Sequence, residues 1–336
     1  MSVERTAVLR VDGLSTYFPT PAGVIRAVDG LSFTLQRNRC LALIGESGAG
    51  KSVTALSLLR LVPPPGRITD GKVFLGGCDL LTLPRPKMRQ IRGEEIALIF
   101  QDPLASFNPV FTIGRQITET ILAHSKLSPA QAREKAAAQL SGVGLPAGRV
   151  YHSYPFQLSG GMRQRAAIAL ALTLHPRVLI ADEPTSYLDV TLQRQILSEL
   201  KRQLEECCFS LLLITHDLAA AAAIADSVAV LYAGRIVECR PLGELYREPG
   251  HPYTAALLRS HPSFKRGQRL QPVQGSPPSP VRPPAGCAFH PRCPQALPRC
   301  RWERPLLAAA GDRRLAACHR IEPPENGTAT ALEKLS

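Results

Sequence analysis

"CLALIGESGAGKSVTALSLLRLV", residues 40–62, decides how the rest of the chain is read. Its first five residues form a compact apolar run that suits a buried strand, and from Lys51 onward the apolar positions fall at helical spacing. Between them Gly45 to Ser52, GESGAGKS, fits the pattern G-x-x-x-x-G-K-[ST] in the strand-then-helix setting that gives it meaning. Glycines in such a turn let successive backbone N–H groups close around phosphate oxygens, and the helix start adds partial positive charge. The stretch predicts a triphosphate cradle of Gly45, Ser47, Gly48, Ala49, Gly50, Lys51, Ser52 and Val53, with Lys51 reaching the β- and γ-phosphates and Ser52 binding Mg²⁺.

Upstream of this loop, from Ala7, the sequence reads as short alternating strands with turns at TPAG and VDG. Downstream, PPPGRITDGK stops the helix, and residues 84–157 are mostly amphipathic helix, the last one opened by Ser128 before Pro129. Then strand and helix alternate again: a helix from about Gly161, RVLIADE, VTLQRQILSELKRQLEEC, FSLLLITHD, LAAAAAIA and the hairpin-like SVAVLYAGRIVE. Such alternation predicts an α/β fold with a mostly parallel sheet covered on both faces. Three parts follow: residues 1–84 with 158–240 as a core carrying an N-terminal β subdomain, 85–157 as a helical insert, and 241–336 as a C-terminal extension. That extension begins as a proline-rich linker, QPVQGSPPSPVRPPAG, and its last residues, ENGTATALEKLS, are expected to fray.

Composition narrows the function classes. A chain of 336 residues with 45% hydrophobic content can bury a sizeable core, and no apolar run approaches the roughly 18 residues of a membrane span. The start, MSVERTAVLRVDG, lacks the apolar stretch of a signal peptide, so a soluble cytoplasmic chain is expected. Net charge is +13, and between Lys265 and Arg320 eleven basic residues face only Glu303 and Asp312. An anionic partner would fit that charge, which does not choose between nucleic acid, a phosphorylated ligand and a membrane face. Of nine cysteines, Cys40, Cys78, Cys207, Cys208 and Cys239 are scattered, and the reducing cytosol argues against disulfides.

Two further stretches carry chemistry. VLIADE ends an apolar strand in Asp182 and Glu183, where Asp182 would hold Mg²⁺ and Glu183 would polarise a water in line with the γ-phosphate. LSGGMRQR, residues 158–165, is a second glycine-rich loop before a helix. Ser159, Gly160 and Gly161 would either offer donors to the γ-phosphate held by another copy of the fold, or simply start a helix with Ser159 as its cap.

GESGAGKS, IFQDP, LSGGM, VLIADEP, SYLDV and ITHD, in that order over residues 7 to about 240, resemble the nucleotide-binding subunit of ATP-binding cassette (ABC) transporters. The resemblance implies a P-loop NTPase of RecA-like type, with an antiparallel β subdomain and a helical insert. It also implies ATP clamped between the glycine-rich loop of one cassette and the signature loop of another. Carried over by motif, Gln101 senses Mg²⁺ and the attacking water, Glu183 is the general base, Asp189 passes information across the dimer, and His216 contacts the γ-phosphate. Phe18 is the residue expected to stack on adenine, with Tyr17 competing. Two departures stand out: Met162 replaces the commoner glutamine, and Ser186-Tyr187 stands where Thr-Ala is usual.

Cys287, Cys293, Cys300 and Cys318 lie close together in a proline-broken segment. Four thiolates suit an iron–sulfur cluster or zinc, although the paired C-x₂-C of usual zinc modules is missing and His290 and His319 are further candidates. GHPYTAALL and FHPRCP resemble the C-terminal extension of oligopeptide and dipeptide importer ATPases, a group that includes carriers of nickel or metal chelates, and the likeness implies a 4Fe-4S cluster on these cysteines. The expected function is ATP hydrolysis driving import of di- or oligopeptides, peripheral to the cytoplasmic face of the inner membrane. Expected partners are a second, different ATPase subunit, two permease subunits and a substrate-binding protein, with no nucleic acid. Metal-chelate import and a soluble cassette acting on nucleic acid or ribosomes remain the alternatives.

Overall fold

A computed structural model describes residues 7–261, 271–309 and 314–321. The end read as frayed, 325–336, and the basic residues at 265, 266, 269 and 313 lie outside the described residues. The chain forms two compact units, Met1–Thr82 with Thr215–Ser336, and Leu83–Ile214.

The first unit opens with two long strands, β1 (Ala7–Thr20) and β2 (Gly23–Gln36), joined through Pro21 and Ala22. β3 (Cys40–Ile44) is buried at all five positions, as a strand covered on both faces must be, and α1 (Lys51–Leu58) follows it. β4 (Arg67–Leu75) and β5 (Cys78–Asp79) complete an antiparallel sheet in the order β2-β1-β4-β5, the antiparallel subdomain expected from the resemblance.

The second unit begins with α2 (Arg85–Glu94), whose regular turns break at Arg92 and Gly93. Next comes β6 (Ile96–Ile99), a strand inside the stretch read as helical; four apolar residues are too few to show a period, so tertiary pairing decides the conformation. α3 (Ile113–His124), α4 (Pro129–Gly142) and α5 (Ala147–Val150) supply the expected helices. Ser128 caps α4 in a reciprocal box with Gln131, and α4 buries Ala132, Ala136 and Leu140, four residues apart on one face. α6 (Gly160–Leu172), β7 (Val178–Asp182), α7 (Val190–Cys207) and β8 (Ser210–Thr215) restore the alternation. β7 pairs in parallel with β6 on one side and β8 on the other, and all five of its residues are buried.

Back in the first unit, α8 (Leu218–Ile224) leads to the hairpin of β9 (Ser227–Tyr232) and β10 (Arg235–Pro241). β9 lies parallel to β3. Two short helices, α9 (Leu242–Arg247) and α10 (Pro252–Ser260), then pack Leu245, Tyr253 and Leu258 into the core of β3 and β9, with Phe289 from the tail beside them. The proline-rich stretch 271–286 forms no helix or strand, and the Arg26 N–H donates to the Pro280 carbonyl at 3.3 Å. The tail then adds β11 (Ala308–Ala309) and β12 (Leu315–Ala316); β12 pairs with β10, and β11 pairs with β12. Among the described residues no helix is long and apolar enough to cross a membrane.

Candidate functional site

β3 delivers the chain to Gly45, and the loop it enters is shaped by close backbone approach. At Gly50, φ is +105° and a Cβ would lie 2.1 Å from the Ala27 carbonyl oxygen, so only glycine fits. Gly50 also precedes α1 without a side-chain cap, at the helix end whose partial positive charge favours an anion. Lys51, 5% exposed, donates from Nζ to the Gly45 carbonyl at 2.9 Å and the Glu46 carbonyl at 3.1 Å, so its charge is fixed against the loop. Ser52 and Val53, partly buried, continue the first turn of α1.

Tyr17 and Phe18, the two aromatic candidates on β1, have different surroundings. The Tyr17 hydroxyl donates to Asp29 at 2.8 Å, and burial together with that carboxylate holds the phenol above its usual pKa. Asp29 is itself held below the usual carboxylate range: burial acts against ionisation, but the hydrogen bonds from Tyr17 and Arg235 outweigh it. Phe18 lies against Gly66, where a Cβ would come within 2.3 Å of its ring. His216, in the same unit, is exposed just past the end of β8.

In the second unit, Asp182 ends β7 with 7% exposure, and Glu183 follows in left-handed backbone at φ +46°. The Glu183 N–H donates to the Ile214 carbonyl at 2.8 Å. Its carboxylate oxygen Oε2 accepts from Gln101 Nε2 at 3.3 Å and from the Ser186 hydroxyl at 2.8 Å. Gln101 and Glu183, 82 positions apart, are thus in contact, and Ser186 is a partner that sequence reading registered only as a departure from the usual pattern.

Ser159 caps α6, accepting from the Met162 N–H at 3.4 Å, and Asp189 caps α7, accepting from the Thr191 and Leu192 N–H groups at 3.0 Å each. A Cβ on Gly161 would meet Leu192 at 3.2 Å and one on Gly160 would meet Leu188 at 3.5 Å. Gly161 therefore has a packing reason within its own chain: the first turn of α6 rests on that of α7.

The tail cysteines are all free thiols. The Cys287 N–H donates to the Cys300 carbonyl at 2.9 Å. Burial first, and then the neighbouring sulfurs Cys300 and Cys318, push the Cys287 thiol above its ordinary pKa; Cys293 and Cys318 are raised for the same kinds of reason. The four thiols thus share one electrostatic neighbourhood, yet among the described residues no three His, Cys, Asp or Glu side chains form a group able to hold a metal ion. A ring nitrogen of His290 contacts the Cys287 carbonyl at 2.9 Å and one of His319 the Glu303 carbonyl at 3.0 Å.

Residues 28–186 match the family described as ABC transporter, and residues 237–300 match the oligopeptide/dipeptide transporter C-terminal region. DppD of Bacillus subtilis strain 168, a dipeptide transport ATP-binding protein, is 44% identical over 314 residues, which is 93% of this chain and 94% of its own. This chain belongs to the ABC transporter family. A second ABC relative, the oligopeptide transport ATP-binding protein AppD of the same organism, is 43% identical over 320 residues, 94% of this chain and 98% of its own. The ABC cassette fold also appears in the solved dimeric post-hydrolysis state of the ATP-binding cassette MJ0796 bound to ADP and Pi, with a TM-score of 0.63 and 24% identity over 70% of this chain and 98% of that one.

Proposed function

We propose that this ABC chain is the ATP-hydrolysing subunit of a di- or oligopeptide importer, peripheral to the cytoplasmic face of the inner membrane. The contact of Gln101 and Ser186 with the Glu183 carboxylate, at the end of a fully buried strand, supports the hydrolytic part of the reading. In this mechanism the Gly45–Ser52 loop and Lys51 bind the triphosphate, and Phe18 stacks on the base. Ser52, Gln101 and Asp182 would hold Mg²⁺; their hydroxyl, amide and carboxylate oxygens are the donors a hard cation takes. Bound there, the ion would neutralise charge on the phosphates. Glu183 accepts the proton of the attacking water, Gln101 orients that water, and His216 contacts the γ-phosphate. Ser159, Gly160 and Gly161 of a second cassette close the site from the other side, with Asp189 relaying its state. The core of 1–84 with 158–240, the insert 85–157 and the extension 241–336 are the parts assigned to these tasks.

Import of peptides is carried over from the relatives and the C-terminal match. Two permease subunits, a substrate-binding protein and a different second ATPase are the partners in this reading. In the second unit the side chains of Val110 and Phe156, each 67% exposed, offer apolar area for a membrane subunit. Cys287, Cys293, Cys300 and Cys318 have the sulfur chemistry of iron–sulfur ligation, with zinc as the other taker. The observed arrangement does not by itself form a metal-holding group, and no step of ATP turnover passes through it. Uptake of labelled di- and tripeptides by cells with and without this chain tests the reading: loss of uptake on deletion supports it, whereas intact peptide uptake with loss of a metal chelate rejects the substrate class. Iron and acid-labile sulfide in the purified chain support the cluster, and zinc without iron rejects it.

A further inference from the structure

Glu46 is the second residue of the Gly45–Ser52 loop, and its supports come from the far end of the same unit. Its backbone N–H donates to the Tyr253 hydroxyl at 3.0 Å. Its carboxylate accepts from both ends of the Arg292 guanidinium, Nη1 to Oε2 at 2.8 Å and Nη2 to Oε1 at 3.1 Å. The Arg292 side chain is 5% exposed, and its remaining donors are used as well: Nε on the Gln274 carbonyl at 2.8 Å and Nη1 on the Tyr232 hydroxyl at 3.2 Å. Phe289, three residues before Arg292, stands edge-on to Tyr232 with ring centroids 5.3 Å apart, walling the same contact.

A two-point fork fixes the direction of a carboxylate as well as its distance. Here it does two things for the loop. It neutralises a negative charge that would otherwise stand beside bound phosphates, and it anchors the side chain whose backbone is already held by Tyr253. A loop held in its binding conformation loses less freedom when phosphate arrives, which favours affinity. From this geometry we infer that Arg292 is a positioning residue for the nucleotide loop, acting through Glu46, so that the cysteine-bearing tail segment sets ATP affinity. The inference rests on the reading that Gly45–Ser52 binds the triphosphate.

The test is equilibrium binding of Mg-ATP to the full-length chain, together with steady-state hydrolysis. Arg292→Ala raises the Kd and KM for ATP about tenfold while kcat at saturation stays within about twofold, because the contact supports binding equally in ground and transition state. Arg292→Lys, which keeps the charge without the fork, gives an intermediate loss of about threefold and decides the matter if the alanine variant does not fold. The double variant E46Q/R292A loses no more than the larger single loss, since both changes remove one contact. Arg299→Ala, in the same tail segment but bonded to the His319 carbonyl, leaves ATP affinity unchanged. Unchanged affinity in Arg292→Lys or Arg292→Ala, multiplicative losses in the double variant, or an equal loss in Arg299→Ala each overturns the inference. Wild-type ATP affinity in Lys51→Ala instead overturns the underlying assignment of the loop.

Discussion

Glu183 is a non-glycine residue in left-handed backbone, a conformation that costs on the order of 1 kcal/mol for an L-residue. Hydrogen bonds hold it there, among them its N–H on the Ile214 carbonyl, the Ser186 N–H on its own carbonyl, and the Gln101 amide and Ser186 hydroxyl on its carboxylate. Two donors on one oxygen, Oε2, set the orientation of the carboxylate, and the shorter of the two comes from Ser186. Ser186→Ala is therefore expected to lower kcat by about threefold to tenfold with ATP affinity preserved, because the general-base role proposed for Glu183 depends on geometry first. Parallel measurement of kcat and ATP Kd checks this; a loss of affinity with unchanged kcat would place Ser186 in binding instead.

At the scale of elements, α10 is fastened to the sheet by His251. Its N–H donates to the Glu238 carboxylate at 2.8 Å, and its Nδ1 accepts from the Tyr253 N–H at 3.0 Å, capping the helix that carries Tyr253 to Glu46. Burial lowers the pKa of this imidazole from 6.5 to about 4. In the unfolded chain the ring takes up a proton near pH 6.5, whereas the folded chain excludes it down to about pH 4. The unfolded state thus binds more protons across that window. The His251 contribution to stability is complete above about pH 6.5 and falls as pH drops toward 4, by on the order of 3 kcal/mol. His251→Asn, which can still cap, should flatten the decline in unfolding free energy between those pH values; an unaltered decline would assign it to other groups.

Elements also separate what the sequence could reveal from what it could not. The Gly45–Ser52 loop is legible because all its chemistry lies within eight residues, and Ser128 could be read as a cap because its partner Gln131 is three residues away. Ile96–Ile99 gave no periodic signal, and β12 pairs with β10 through only two residues. The Glu46–Arg292 ion pair spans 246 positions, so no local pattern could announce it. Gln101 and Glu183 became a pair only through the order of motifs, which implied a shared site without saying that Ser186 would join it.

Over the whole molecule, the residues assigned to nucleotide chemistry are divided between the two compact units. The Gly45–Ser52 loop and His216 belong to the first, and Gln101, Asp182, Glu183, Ser159 to Gly161 and Asp189 belong to the second. Much of the excess positive charge lies in the C-terminal tail, whose described part shares its core with β3 and β9 through Phe289. Hydrolysis of ATP by this cassette turns, in the proposed mechanism, on Glu183 as base, and Glu183→Gln removes the carboxylate while keeping the side chain's size. With Mg-ATP, the variant should retain wild-type nucleotide affinity while its hydrolysis rate falls by about a hundredfold or more. Hydrolysis at the wild-type rate with the carboxylate gone would show that Glu183 is not the base.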